Sequence, residues 1–183
     1  MLRFLLPSLG LVVLSSCTMI LSTNIPGKQQ QTLPAEWLGK YEVITASLLP
    51  DKRDSANNEK EFAIIESTRI TWKSVDGDKI FSLKDSLRYS AIDGGSRYLS
   101  LLMPQGLFAV FKVIIKADTL ELHSLSADDD IKKSELNRYF DNVERLKSGD
   151  EEYYKVTIAD KKLDGYFKTA IPSKEITKLV KVR

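Results

Sequence analysis

The sequence predicts a mainly β fold (β-rich α+β): an antiparallel meander closing into a full or partial barrel, with one packed helix near residues 128–147. Three observations predict it. Apolar and β-branched residues alternate with polar ones in short runs between residues 41 and 125, and a period of two places one row of each strand on the core. Turn formers such as Asp76-Gly77, Asp93-Gly94-Gly95 and Pro104-Gln105-Gly106 separate the runs at short intervals, so that sequential strands become neighbours. The period then changes, with Leu136, Tyr139, Phe140 and Val143 recurring at three- and four-residue spacing as on one face of a helix.

Taken in order, residues 1–16 read as a targeting segment rather than as structure. Arg3 gives a positive start, residues 4–14 form an apolar run broken by Pro7, Ser8 and Gly10, and Ser15 and Ser16 follow. Such a run falls well short of the ~20 residues that span a bilayer as a helix. Leu14-Ser15-Ser16-Cys17 resembles the lipobox of bacterial lipoproteins. The resemblance implies cleavage between Ser16 and Cys17, a diacylglyceryl group on the Cys17 sulfur, and often a further acyl chain, commonly palmitate-like, on the new amine. Two buried chains hold a protein on a membrane where one is marginal. Cys17 is the only cysteine, so no internal disulfide supports the fold. An ordinary secretory peptide is the competing reading of the same segment.

Residues 17–34 are polar and interrupted by Pro26, Gly27 and Pro34, and they read as a lipidated cysteine followed by a flexible tether, with a first strand disguised by polar residues as the alternative. Residues 35–183 then form a single β-rich domain, large enough for one core without metals or cross-links.

The domain opens at Glu36-Trp37-Leu38-Gly39-Lys40-Tyr41, where Gly39 permits a bend and Tyr41, Val43 and Thr45 form one row of the first strand. This opening resembles the start of lipocalin-like (calycin) barrels, in which a Trp closes one end, although here Trp precedes Gly, the reverse of the lipocalin order. The alternative is an ordinary core aromatic at Trp37. Strands follow at Phe62–Glu66 and Arg69–Ser74, with Ile70 and Trp72 sharing a face, and then around Phe81, Leu87 and Leu99. The longest strand, residues 107–116, carries an inward row of Leu107, Ala109, Phe111, Val113 and Ile115, and its other row is half apolar, which marks it as the centre of the sheet. Residues 119–125 follow, with Glu121 and His123 outward.

Asp128, Asp129 and Asp130 favour a helix N-terminus. That helix ends near residue 148, and residues 152–158 return to strand. Asp164-Gly165 reads as a turn. Residues 174–182 read as a short basic helix, with a closing strand as the alternative.

Little in the chain suggests chemistry. Lys plus Arg number 27 against 25 acidic residues, which is no footprint for nucleic acid. A single histidine and a single cysteine exclude metal sites built on several imidazoles or thiolates. His123 as the base of a Ser-His-Asp set is opposed by its place on a solvent-facing row with no motif beside it. The three aspartates suit a helix cap better than a calcium loop, since consecutive residues do not converge on one ion. Of the pairs Tyr139-Phe140, Tyr153-Tyr154 and Tyr166-Phe167, one member each faces outward on a strand and is available to a ligand, although singly exposed aromatics are common. No catalytic residue, metal or cofactor is expected.

Together with the lipobox resemblance, these observations give the expectation of a non-enzymatic lipoprotein of the bacterial cell envelope. It would be anchored at Cys17, act as an accessory or interaction protein and meet an envelope protein partner. Thr18 stands where an Asp would favour inner-membrane retention in Gram-negative lipoproteins, so the outer membrane is expected for such a source. The alternative is a carrier of a small hydrophobic ligand in a lipocalin-like barrel.

Overall fold

The structure, a computed structural model, describes residues 17–46, 60–93, 95–128, 131–148, 151–169 and 176–182. The chain enters through β1 (Cys17–Ser22) and the short β2 (Lys28–Gln30). A 3-10 turn at Ala35–Trp37 leads into the meander β3 (Gly39–Ala46), β4 (Phe62–Glu66), β5 (Arg69–Ser74) and β6 (Gly77–Ser82). A second meander comprises β7 (Leu87–Ala91), β8 (Arg97–Leu102), β9 (Phe108–Lys116) and β10 (Thr119–Ser124). Beyond it come β11 (Ser126–Asp128), the one-turn helix α1 (Lys133–Leu136), the hairpin β12 (Phe140–Ser148) and β13 (Glu151–Ile158), helix α2 (Asp160–Phe167) and β14 (Ile176–Lys181).

All the strands belong to one sheet curled into a half-barrel, as the alternating pattern predicts. Its main path runs β12-β13-β1-β9-β10-β14-β3-β4-β5-β6, with β8, β7 and β2 branching from β9. The meander connections hold within each group, while the chain ends tie the groups together. β14 sits antiparallel between β10 and β3, and β1 pairs antiparallel with β9 and parallel with β13.

β9 separates two cores. On the concave side Trp37, Tyr41, Trp72, Leu87, Tyr89, Leu99, Val113, Leu120 and Leu179 pack together. Across the wall, Tyr98 and Val110 join Ile20, Ala127, Leu136, Phe140, Tyr154, Val156, Leu163 and Tyr166 in a second core. β8 alternates between them, Tyr98 to one and Leu99 to the other, which is why four consecutive residues of that strand are buried. The central position of β9 matches the expectation from its two apolar rows. Its inward row is not covered throughout: Ile115 near the end of the strand is 41% exposed, and Phe111 near its middle is only half-buried.

Four further expectations are corrected. Residues 17–34 do not begin as a tether, because β1 lies inside the sheet with Ile20 and Ser22 fully buried and Leu21 at 2% exposure. A strand covered on both faces shows no alternation, so Met19-Ile20-Leu21 was hidden among polar neighbours. The helix expected over residues 128–147 is confined to Lys133–Leu136, and Phe140–Ser148 is strand. Between Asp141 and Glu144 the register with β13 slips by one residue, with Asn142 at φ +51°. This bulge sets Phe140 and Val143 on one face at a spacing of three, which imitates helical periodicity. Asp129 and Asp130 of the expected cap lie outside the described residues.

Asp164-Gly165 is not a turn but the middle of α2, whose Leu163 and Tyr166 are fully buried one helical turn apart. The terminal segment is strand rather than helix over Ile176–Lys181, because Leu179 fills a row of the concave core while Ile176, Thr177 and Val180 are β-branched.

Candidate functional site

Cys17 opens β1, its backbone paired with Asp128 of β11. Two residues later Met19 is in register with Tyr153 of β13, so the predicted lipidation position is the first residue of an internal strand. Ser16, the other residue of the predicted cleavage site, lies outside the described residues. Thr18, the predicted sorting position, is buried at 5% exposure.

Trp37 is a core aromatic, as one of its two readings held. It is fully buried and meets the Tyr89 ring edge-on at 5.1 Å, and its carbonyl accepts a 2.9 Å hydrogen bond from Tyr41 Oη. Above this core lies an open groove of about 700 Å³ whose lining includes Gln30, Leu33, Pro34, Leu38, Tyr89 and Arg97. Arg97 donates to Glu36 Oε1 at 2.7 Å and lies over the Trp37 ring. Hydrogen bonds from its own backbone and from Arg97 hold the Glu36 carboxyl below its ordinary range, while burial pushes the Tyr89 phenol up.

His123 is partly covered on the outer row. Its Nε2 lies 3.3 Å from Glu121 Oε2, which also accepts from Lys116 Nζ at 2.9 Å. Glu121, expected to face solvent, is 6% exposed among these neighbours. Burial opposes its ionisation, yet Lys116 and His123 outweigh that and lower its pKa. His123, weighed as the base of a Ser-His-Asp set, thus meets the Glu121 carboxylate on its own strand.

Asp76 lies in the β5–β6 turn, and Asp78 pairs with Lys73 across the hairpin. Among the described residues no group of His, Cys, Asp or Glu could hold a metal. Of the aromatic pairs, Phe140, Tyr154 and Tyr166 are buried, and Tyr139, Tyr153 and Phe167 are partly exposed.

Sequence reasoning missed a polar cluster beneath α2. Asp164 accepts from Ser96 Oγ at 2.8 Å, from Tyr98 Oη at 2.8 Å and from Lys112 Nζ at 2.7 Å. Burial works against this carboxylate, but Lys112, Ser96 and Tyr98 prevail and its pKa is lowered. The Tyr98 phenol, buried and facing the carboxylate, is pushed far up. The three donors to Asp164 lie on β9, on β8 and immediately before β8, more than fifty residues away, so no local pattern announces the cluster. Every member is satisfied within the cluster, which suits a latch between α2 and the sheet. The chain matches no family model, no curated protein and no solved structure.

Proposed function

We propose that the protein is a non-enzymatic lipoprotein of the bacterial envelope, held to the membrane by acyl chains on Cys17 and acting through its surface as an accessory or interaction protein. The anchor rests on the run Leu14-Ser15-Ser16-Cys17. One structural observation favours surface over cavity: the concave side of the half-barrel is filled, with Trp37, Tyr41, Trp72, Tyr89, Leu120 and Leu179 at 7% exposure or less. A carrier needs a lined cavity of ~300 to 1,000 Å³ in that place. Since β1 starts at Cys17, the anchor brings the bilayer directly against the folded domain. With Thr18 after the cysteine, the outer membrane is the proposed site in a Gram-negative source.

The groove beside Tyr89 and Arg97, at about 700 Å³, supports the second reading, a binder of a small hydrophobic ligand. Native mass spectrometry of the protein extracted gently from membranes separates the two. The surface reading predicts the acylated chain with no stoichiometric guest. A co-purifying small molecule, lost on Tyr89→Ala, would establish the carrier instead.

A further inference from the structure

Four strands pair on one side only among the described residues: β2, β6, β11 and β12. An open strand edge is a template for another chain, and proteins blunt such edges by shortness, bulges or charge. β2 and β11 have three residues each. β12 carries the bulge after Asp141 and exposes Asp141, Glu144, Arg145 and Lys147. β6 carries Asp78 and Lys79, with Asp78 already paired to Lys73 of β5, but its six residues pair with β5 without a register shift and it contains no proline. The two most exposed large apolar side chains among the described residues, Val75 at 62% and Ile80 at 61%, lie at the tip and on the last strand of this same hairpin.

We infer that β6 pairs edge to edge with β6 of a second copy of this chain. The two-residue loop Val75-Asp76 closes on the Ser74/Gly77 pair, so the backbone groups of Gly77, Lys79 and Phe81 point to β5 and those of Asp78, Ile80 and Ser82 point outward. An antiparallel two-fold pairing must match outward groups with outward groups, which leaves few registers. Centring on Lys79 sets two ammonium groups face to face, and centring on Asp78 does the same with carboxylates; like charges directly opposite destabilise a sheet. Centring on Ile80 or on Phe81 avoids both, but centring on Phe81 pairs only Ile80 to Ser82 within the strand, whereas centring on Ile80 pairs Asp78 to Ser82. Ile80 then meets Ile80 of the other copy, Asp78 meets Ser82, and Lys79 meets Phe81, so charge and ladder length together select the register and Ile80 becomes covered.

A five-residue ladder buries less than the ~1,200 Å² of a stable interface, so the association is weak in dilute solution and gains from confinement on a membrane. In that respect it rests on the proposed anchor. The sole native cysteine is Cys17, which acylation removes as a thiol, so introduced cysteines report cleanly. Opposed residues in a hydrogen-bonded pair lie ~5.5 Å apart between Cα atoms, within disulfide reach. The two Val75 residues would stand ten steps of ~3.3 Å apart.

In membranes carrying the full chain, mild oxidation of Ile80→Cys is expected to give a homodimer at least ~10-fold faster than Val75→Cys, whose exposure is the same. Should Ile80→Cys fail to fold, co-expressed Asp78→Cys and Ser82→Cys chains test the same register. Equal rates at positions 75 and 80, no dimer, or cross-linking to a different protein would each overturn the pairing. Sedimentation separates the two proposals. A chain that stays with the membranes without cross-linking loses the pairing and keeps the anchor. A chain found in the soluble fraction loses the anchor, and oxidation of that fraction after concentration then decides the pairing alone.

Discussion

Asp164 of α2 and Lys112 of β9 meet at 2.7 Å, joined by Tyr98 Oη and Ser96 Oγ on the same carboxylate. Lys112 keeps 16% of its side-chain exposure and Asp164 keeps 36%, so solvent screens part of the attraction. Removing the carboxylate leaves both the ammonium and the buried phenol without their acceptor. Asp164→Ala is expected to cost roughly 2 to 3 kcal/mol and Tyr98→Phe about 1 kcal/mol, read from denaturant midpoints. A loss under ~0.5 kcal/mol for Asp164→Ala would show that α2 is held by Leu163 and Tyr166 packing alone.

The same cluster sets a pH dependence at both ends. The Asp164 pKa is lowered in the fold, so its contribution is present above the ordinary carboxylate pKa of ~4 and is lost as pH falls through the depressed value. The Tyr98 pKa is raised, so its contribution is present below the ordinary phenol pKa of ~10 and fades as pH rises beyond it. Thermal melts against pH should therefore decline at both extremes. Asp164→Asn should flatten the acid limb, and Tyr98→Phe the alkaline one. Curves of unchanged shape in both variants would separate the cluster from stability.

Packing at the wall between the two cores is uneven. Phe140, 1% exposed, packs edge-on against Tyr166 at 4.9 Å, whereas Phe111 is half-buried at the edge of the concave core. Phe140→Ala is expected to cost roughly 3 to 5 kcal/mol and Phe111→Ala clearly less, about 1 to 2 kcal/mol. Equilibrium unfolding of the two variants gives the order, and the reverse order would contradict the layering described.

Gly27 links β1 to the rest of the sheet at φ +65°, donating its N–H to Asp160 Oδ1 at 2.9 Å, and an added Cβ would stand 2.3 Å from the Ala91 carbonyl oxygen. The strained φ alone costs about 1 to 3 kcal/mol in a non-glycine residue, and here the obstacle is backbone. Gly27→Ala should therefore destabilise by at least that amount. A chain beginning at residue 35, which lacks β1 and β2, should show no cooperative melt by circular dichroism. A normal melt for either would restore the tether reading of residues 17–34.

The parts of the fold legible in the sequence were those with one covered face. β4 and β5 alternate because one side meets the concave core, and the turns after β5 and β8 announce themselves at Gly77 and Gly106, both at positive φ. What the sequence concealed was two-sided burial at Ile20 and Leu21, a bulge at Asn142 that counterfeits a helix, and an eight-residue helix whose Gly165 imitates a turn. The proposed anchor at Cys17 rests on a local signal, a short run of small residues before a single thiol. The Asp164 cluster was not legible, because folding alone brings its donors together.

The most direct measurement is the mass of the mature N-terminus isolated from membranes. The expected product is a chain beginning at Cys17 and carrying a diacylglyceryl thioether. A chain retaining Ser16, or one beginning elsewhere with an unmodified Cys17 thiol, would contradict it.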